Sequence, residues 1–237
     1  MDNPIVLDHI SKTYHDSKTP AVIDYSLTIH KGEFFCLVGP SGCGKSTVLK
    51  MIAGLEQPTS GRLIKPEQVS MVFQSGALFP WLTVEENVAL GIQMMGHYQE
   101  KIKRIVAENL SMVGLEELRK KYPRELSGGQ RQRVGIARAL AIQTEVLLLD
   151  EPFSALDSLT AEELYKDLLK IWQSTGKTIV MISHLLEEAV LLADRIGVMG
   201  AGTLKKIIPE TLPRPRSDND EGYTATVEMV KKELTNL

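Results

Sequence analysis

The sequence predicts an α/β fold with a helical insertion. Short apolar runs alternate with longer stretches of helical periodicity, an alternation typical of layered α/β architecture. The runs VLLLD (146–150) and TIVMIS (178–183) are almost continuously apolar, as expected for strands that are covered on both faces. Between about residues 76 and 135 the apolar residues instead recur three and four apart, which predicts helices.

The remaining elements follow in chain order. Strands are predicted at 5–10, 21–29, 33–38, 69–73, 146–150, 178–183 and 195–199. Inside the insertion, TVEENVALGIQMMG and YQEKIKRIVAENLSMVG are predicted helices, and RQRVGIARALAI should form another. No strand-like run interrupts them before residue 146.

The C-terminal part reads as a linker followed by a short amphipathic helix. The linker PETLPRPRSDNDEG is rich in proline and acids. The helix is indicated by five apolar residues at helical spacing: Tyr223, Val227, Val230, Leu234 and Leu237. This helix can pack on its own core, on a partner subunit or on nothing. The cost of leaving such a stripe in water favours its own core.

Composition excludes several classes of protein. The 237 residues suffice for one large domain or two small ones, with 27 Lys and Arg against 30 Asp and Glu. The whole net charge of −3 lies after residue 216, so the rest is neutral and lacks the basic surface of a general nucleic-acid binder. Two cysteines, Cys36 and Cys43, are too few for a disulfide framework. Without a signal-like N-terminus or roughly 18–20 consecutive apolar residues, a soluble intracellular protein is expected.

A phosphate-binding loop is the first chemical motif. Residues 39–46, GPSGCGKS, fit the pattern G-x-x-x-x-G-K-[ST] between the apolar strand EFFCLV and the helix-like TVLKMIAG. Glycines let backbone N–H groups face phosphate oxygens at a helix N-terminus. Lys45 would reach the β- and γ-phosphates, and the Ser46 hydroxyl would bind Mg²⁺. The alternative is a glycine-rich turn that matches by chance. The loop's other members are Gly39, Pro40, Ser41, Gly42, Cys43 and Gly44.

Two carboxylates end the strand VLLLD. Asp150 would hold Mg²⁺ through water, as the acidic partner of a phosphate loop. Glu151 follows it, where it could polarise the attacking water. The alternative is a strand that simply ends in polar residues.

The motif LSGGQ (126–130) is a second candidate for anion binding. Ser127 is a good N-cap for the next helix, and Gly128 and Gly129 leave the first N–H groups of that helix accessible. From the residues alone, an ordinary capped helix explains the motif equally well.

Together these three motifs resemble the ATP-binding cassette (ABC) ATPases. The resemblance covers nearly the whole chain up to about residue 208, and LSGGQ is highly specific to that family. It implies a P-loop NTPase core with an antiparallel β edge, over residues 1–212, with a helical subdomain inserted at about 76–135. Residues 213–237 would then form an appended linker and amphipathic helix. ATP and Mg²⁺ are the implied cofactors, and Thr47 and Gln130 join the implied nucleotide contacts.

Smaller elements match the same family residue by residue. Tyr14 resembles the aromatic residue that stacks on adenine, although it could also be a half-buried strand residue. Gln74 matches the glutamine that contacts Mg²⁺ and the water, and Asp157 ends the D-loop SALD. His184 matches the switch histidine at the γ-phosphate; like Gln74, it could be an ordinary polar residue at a strand end. The family usually has Asp after this histidine, whereas Leu185 follows here.

The resemblance also implies partners. Two such domains pair head to tail around two ATP molecules, so Ser127 and Gly129 of one subunit would close on the γ-phosphate held by Lys45 of the other. Permease subunits would lie in the membrane, with a solute-binding protein acting indirectly. The chain itself would be a peripheral subunit at the cytoplasmic face of the inner membrane.

Three segments resemble importer ATPases for nitrate, sulfonate, taurine and related small solutes: PWLTV (80–84), EEAVLLADRI (187–196) and LPRPR (212–216). Trp81 would lie where the insertion meets the membrane subunit, or else in the core of the subdomain. Met94 and Met95 could line an adaptable docking groove, or fill a core. The alternative function is an ATP-dependent regulatory or assembly switch, although Glu151, the residue a turnover enzyme needs, is intact. ABC-type ATPases acting on DNA or ribosomes carry a coiled coil or two cassettes, and this chain has neither.

Overall fold

Nine strands form two sheets in the computed structural model, which describes residues 5–74 and 76–235. The smaller sheet is antiparallel and contains, from edge to edge, β2 (Val22–Ile29), β1 (Ile5–Lys12) and β4 (Ser60–Ile64). The larger sheet contains, in order, β5 (Ser70–Val72), β6 (Val146–Asp150), β7 (Thr178–Ser183), β3 (Phe34–Val38), β8 (Arg195–Gly200) and β9 (Thr203–Pro209). Adjacent strands of this sheet are parallel, except that β9 is antiparallel to β8.

Seven α-helices lie in the described part of the chain. They are α1 (Lys45–Ala53), α2 (Val84–Met94), α3 (Gln99–Met112), α4 (Gly128–Ala141), α5 (Ser158–Thr175), α6 (Leu186–Leu192) and α7 (Tyr223–Thr235). Two 3₁₀ turns, Glu116–Leu118 and Pro123–Glu125, connect α3 to α4. Within the described ranges, no helix is both long and apolar enough to cross a membrane.

The larger sheet is covered on both faces. Along β3 the side chains alternate between two cores: Phe34, Cys36 and Val38 belong to the core on the side of the insertion, whereas Phe35 and Leu37 belong to the core shared with the antiparallel sheet. This double burial explains why the central strands are continuously apolar. Because the parallel strands run the same way, the residues that follow β3, β5, β6 and β7 meet at one edge, the usual place for ligands in such sheets.

The predicted α/β fold is confirmed, with two differences at the strand level. The predictions for β6 and β7 match residue for residue, and the others differ by one or two residues at an end. The strands β4 and β9 were missing from the prediction. Both are edge strands: most of β4 is exposed, and β9 carries exposed Lys205 and Lys206 at its centre. Edge strands protected by lysine lack the apolar pattern on which the prediction depends.

The insertion is helical, as predicted. α2 begins with a capping box in which the Thr83 side chain accepts from the Glu86 N–H and the Glu86 carboxylate accepts from the Thr83 N–H. α4 begins at Ser127 with the same device, built with Gln130. α4 runs unbroken through residue 135, where the insertion was predicted to end.

The C-terminal helix packs on its own chain. In α7, Tyr223 and Val230 are buried in the core on the insertion side, and Val227 and Leu234 pack against it. The predicted self-docking is therefore confirmed for these four residues. The fifth, Leu237, and the N-terminal residues 1–4 lie outside the described residues.

The predicted linker has no regular structure but is bound to the domain. The Arg216 guanidinium donates to the carbonyls of Val190 (2.9 Å) and Ala193 (2.6 Å). The Arg214 guanidinium donates to the Leu192 carbonyl at 2.5 Å, pairs with Asp194, and lies 4.4 Å from the Trp172 ring centroid. The LPRPR segment therefore binds the C-terminal carbonyls of α6, where cations are favoured by the helix dipole.

Candidate active site

A cavity of about 330 Å³ opens at the N-terminus of α1. Four parts of the chain line it: the turn before β2, the phosphate loop with the start of α1, the end of β6 and the end of β7. The lining residues are Ala21, Ser41, Gly42, Gly44, Lys45, Ser46, Thr47, Glu151 and His184. The predicted loop residues Gly39, Pro40 and Cys43 do not line it.

Only glycine fits at the point where the loop becomes α1. Gly44, the N-cap, has φ of 106°, a conformation that other residues rarely adopt. A Cβ atom there would lie 2.3 Å from the Ala21 carbonyl oxygen. The loop therefore turns tightly against the segment before β2 and leaves the first N–H groups of α1 at the cavity, as anion binding requires.

Lys45 holds a buried positive charge at the cavity. Its side chain is only 4% exposed, and its ammonium group donates to the carbonyls of Gly39 (2.7 Å) and Pro40 (3.1 Å). Burying an ammonium group is costly unless it has such partners. The loop thus orients its own lysine beside the place where the backbone N–H groups converge.

Asp150, the last residue of β6, faces the start of α1. The Ser46 hydroxyl donates to Asp150 Oδ1 at 3.5 Å. Burial raises the pKa of the Asp150 carboxyl above its usual value, and the neighbouring Glu151 charge acts in the same direction. A nearby cation would reverse this shift by stabilising the ionised form.

Glu151 connects three strand ends. Its carboxylate pairs with the His184 imidazole Nε2 and accepts from the Gln74 amide at 3.2 Å. Gln74 also donates to the Ser154 hydroxyl at 2.9 Å, and that hydroxyl donates to the Glu151 carbonyl at 3.1 Å. Glu151 has φ of 50°, which is strained for a residue other than glycine, and such strain concentrates at functional sites.

The LSGGQ motif lies apart from this cavity. Ser127 is exposed, and its side chain is engaged in the cap of α4 with Gln130. Gly128 and Gly129 pack instead beside the D-loop and Thr160 at the start of α5. Asp157 caps α5 by accepting from the Thr160 N–H at 3.0 Å, which lowers the pKa of its carboxyl. A single chain therefore does not bring its two predicted anion-binding motifs together.

The phosphate loop, the carboxylates at the end of β6 and the separate LSGGQ helix agree with comparisons to known proteins. The sequence profile of the ABC transporter family matches residues 22–154. The chain belongs to this family. The predicted enzyme class, an ATPase, is thereby confirmed.

Characterised ABC relatives resemble nearly the whole chain. The bicarbonate transport ATP-binding protein CmpD of Synechococcus elongatus is 45% identical over 227 residues, covering 90% of this chain and 82% of that protein. The aliphatic sulfonates import ATP-binding protein SsuB of Bacillus cereus is 42% identical over 232 residues, with coverages of 92% and 91%. The predicted likeness to the importer subgroup is therefore confirmed.

A solved ABC structure shares the fold. The dimeric, post-hydrolysis structure of the ATP-binding cassette MJ0796 with ADP and Pi has a TM-score of 0.79 and 34% sequence identity. The match covers 88% of this chain and 100% of that one. The predicted ABC ATPase core, with its antiparallel edge and inserted helices, is confirmed by this likeness.

Tyr14 lies beside the ABC phosphate loop, outside any strand. It is half-buried after the end of β1, and its hydroxyl is 3.3 Å from the Thr47 hydroxyl in the first turn of α1. The Lys12 ammonium lies 5.1 Å from the ring centroid. The predicted alternative, a half-buried strand residue, is therefore wrong for this tyrosine.

No cluster of three or more His, Cys, Asp or Glu side chains that could hold a metal occurs in the residues 5–74 and 76–235. The hydroxyl of Ser46 and the carboxylate of Asp150 are nevertheless adjacent oxygen donors beside the cavity. Mg²⁺ in nucleotide sites is held by one or two such protein oxygens together with phosphates and water. The donor set therefore fits magnesium.

Sequence reasoning missed several participants. Ala21 lines the cavity, Ser154 bridges Gln74 to Glu151, and the buried Glu188 binds Ser183 next to His184. Ser154 begins the D-loop and Glu188 lies in the EEAVLLADRI segment, but neither motif assigned that residue a role. Cys43 of the phosphate loop is 6% exposed and belongs to the core shared with the antiparallel sheet.

Proposed function

We propose that this chain is the ATP-hydrolysing subunit of an importer for nitrate, sulfonate, taurine or a related small solute. The observation that carries the catalytic part is the convergence of Lys45, Glu151 and His184 on one cavity, with Gln74 bound to Glu151. The transport part is supported by the printed functions of the relatives, bicarbonate transport and aliphatic sulfonate import. These relatives weigh against a switch that is uncoupled from transport.

ATP binding would use the phosphate loop and its surroundings. Lys45 would exchange its bonds to the loop carbonyls for the β- and γ-phosphates. The backbone N–H groups of the cavity-lining loop residues 41, 42 and 44–47 would donate to the remaining oxygens. Tyr14, held near Thr47, would stack on the adenine. Ser46 and Asp150 would hold Mg²⁺. Gln74, which donates to Glu151 next to Asp150, would contribute a further oxygen. The ion, when bound, neutralises negative charge on the phosphates.

Hydrolysis would depend on Glu151 and His184. The Glu151 carboxylate would accept a hydrogen bond from the attacking water and polarise it. His184 would orient Glu151 and contact the γ-phosphate. Gln74, through its bonds to Glu151 and Ser154, would report the position of the insertion to the catalytic carboxylate. Most of the rate enhancement would come from positioning and electrostatics.

The catalytic unit would be a dimer. The cavity holds no residue of the LSGGQ motif, and the similar MJ0796 structure is dimeric. In a head-to-tail dimer, Ser127, Gly129 and their neighbours would close on the nucleotide bound by the other copy, with Asp157 in the D-loop between the two sites. The helix N-terminus of α4 would then act on phosphate from the opposite side.

The permease would dock on an apolar surface of the insertion. Trp81 is 69% exposed and Met94 is 84% exposed. Neither side chain therefore fills a core, which was the alternative prediction for each. The Phe79 ring contacts the Trp81 ring in a tilted arrangement, with centroids 5.5 Å apart. Phe79 also lines a neighbouring cavity of about 400 Å³ with Met94 and Arg138. Exposed apolar patches of this kind mark interaction sites. The chain would then lie at the cytoplasmic face of the inner membrane as a peripheral subunit.

Replacing Glu151 by Gln tests the site assignment. The E151Q variant should lose at least about 100-fold in kcat, since removing a general base costs 10²–10⁴-fold. Binding of a fluorescent ATP analogue should persist, and gel filtration with ATP and Mg²⁺ should show more dimer. E162Q, which changes an exposed glutamate paired with Lys166, should behave like the wild type. Wild-type turnover by E151Q would refute the role of Glu151.

Replacing Trp81 by Ala tests coupling to transport. The isolated W81A chain should keep wild-type ATPase activity, because Trp81 lies on the insertion surface. The same variant should co-purify poorly with the permease subunits, and the reconstituted complex should lose stimulation by solute and binding protein. Testing nitrate, sulfonates, taurine and bicarbonate in the wild-type complex identifies the solute. If none of them stimulates the wild-type complex, the proposed solute class is wrong.

A further inference from the structure

Glu188 is a buried carboxyl group beside the switch histidine, in the first turn of α6. It is 4% exposed, and although it lies in the EEAVLLADRI segment, no role was assigned to it above. Its Oε2 accepts from the Ser183 hydroxyl, and its Oε1 accepts from the Tyr165 hydroxyl at 3.1 Å. A carboxyl group this deeply buried is rare unless it is well partnered.

Ser183 transmits this contact to the turn around His184. The Ser183 Oγ accepts from the Leu185 N–H at 2.9 Å and lies 3.1 Å from the Leu185 carbonyl oxygen. The two residues that flank His184 are thus tied together by one hydroxyl, and that hydroxyl is held by Glu188. Leu185 itself is 54% exposed and contributes no polar side chain where the family usually has Asp.

Tyr165 extends the network toward Glu151. Its ring packs edge-on against Phe153, with centroids 4.5 Å apart, and Phe153 lies two residues after Glu151. Glu188 therefore lies between the two segments whose side chains meet in the Glu151–His184 pair. One segment is bound through Ser183, the other through Tyr165.

We infer that Glu188 is a positioning residue for ATP hydrolysis, which holds the backbone around His184 so that its imidazole meets Glu151. This inference rests on the proposed role of His184. The positioning role requires that Glu188 forms hydrogen bonds, and it does not require a negative charge on Glu188. The Ser183 hydroxyl has one hydrogen but two acceptors in reach, the Glu188 carboxyl and the Leu185 carbonyl. If Glu188 is protonated, it can donate to the Ser183 oxygen, and the Ser183 hydrogen is then free to bond the Leu185 carbonyl. Burial raises the pKa of the Glu188 carboxyl, which favours this neutral form.

The test compares E188A with E188Q in the full chain. E188A leaves Ser183 and Tyr165 without their partner. In this variant kcat should fall by about 10- to 100-fold, because even a small misplacement of a catalytic group slows the reaction this much. The dissociation constant of an ATP analogue should change by less than about twofold, because Glu188 does not line the cavity. E188Q keeps a donor for Ser183 and an acceptor for Tyr165, and should retain at least half of the wild-type kcat. S183A, which removes only the hydroxyl, should resemble E188A.

Glu33 provides a matched control for the loss of a buried carboxylate. It is 7% exposed and accepts from Arg195 and from the His30 N–H, away from the cavity. E33A should lower the free energy of unfolding as E188A does, while kcat at a temperature well below unfolding stays near the wild-type value. In NMR spectra the His184 imidazole resonance should shift in E188A and S183A, and keep its wild-type position in E188Q and E33A.

A double-mutant cycle separates the inference from the proposed function. In single-turnover measurements with the H184A background, adding E188A should slow hydrolysis by less than about twofold, because residues that act as one unit are not additive. Three results would overturn the inference. They are a wild-type kcat in both E188A and S183A, an equal loss of kcat in E188A and E188Q, or an effect of E188A in the H184A background as large as its effect in the wild type. Wild-type turnover by H184A alone would instead refute the proposed role of His184.

Discussion

At the residue scale, Gly129 packs directly on Thr160 of α5. A Cβ atom on Gly129 would lie 2.3 Å from the Thr160 Cγ2 methyl, whereas a Cβ on Gly128 would meet its nearest neighbour, the Ala155 carbonyl oxygen, at 3.6 Å. Two adjacent glycines of one motif therefore have different constraints. Gly129 is required by close packing between two helices, and Gly128 is free of that constraint.

This difference predicts that alanine at the two positions has different effects on the free energy of unfolding. G129A should lower the free energy of unfolding by about 1–3 kcal/mol, the usual cost of overpacking. G128A should be neutral or slightly stabilising, because alanine favours helices. The rescue variant is T160S, which removes the methyl group but keeps the hydroxyl that binds Asp157. Urea unfolding should show that T160S restores most of the stability lost in G129A; a similar loss in G128A would contradict the packing argument.

Residues at strand ends were the most predictable part of the site. Gln74, Glu151 and His184 follow buried strands of one sheet, so their convergence could be expected from the motifs and the family resemblance. The Ser154 bridge and the Glu188 network could not. They depend on the directions of individual side chains in loops and first helical turns, and neither periodicity nor composition encodes those directions.

At the scale of elements, helix α7 docks through one stripe of side chains. Val230 is fully buried, whereas the adjacent Met229 is 50% exposed. Replacing Val230 by Ala should cost about 2 kcal/mol of unfolding free energy, because it leaves a cavity in a packed core. M229A should change it by less than about 0.5 kcal/mol. Thermal or urea unfolding distinguishes the two, and equal effects would mean that α7 is not docked in solution.

Which elements could be predicted depended on burial. The strands β3, β6 and β7 are buried on both faces, so their sequences are continuous apolar runs that local analysis detects. The strands β4 and β9 have a partner on one side only and contain residues that are typical of loops, such as Gly61 and Lys206. The helix starts at Thr83 and Ser127 were readable because side-chain capping is a local interaction.

At the scale of the whole molecule, the two predicted anion-binding motifs lie at different places, since the phosphate loop lines the cavity and no residue of LSGGQ does. Each is a complete local structure: the loop holds its own Lys45, and the LSGGQ helix begins with a capping box. The motif opens α4, and its glycines pack beside the D-loop and Thr160. The proposed pairing with a second copy comes from the family resemblance, because the residues alone did not exclude an ordinary capped helix. The divisions at residue 212 and at about 76–135 stay proposals.

The pairing of β6 with β7 has a consequence for mutations far from the nucleotide. Asp150 pairs with Ile182 in this register, and the Glu151 N–H donates to the Ile182 carbonyl at 3.2 Å. A slip of one residue between these strands would displace Glu151 relative to His184 by about 3.3 Å, farther than a hydrogen bond can stretch. Alignment errors deep in the sheet would therefore inactivate the enzyme while every catalytic side chain is still present. A screen for inactive variants should accordingly recover buried apolar positions of these two strands.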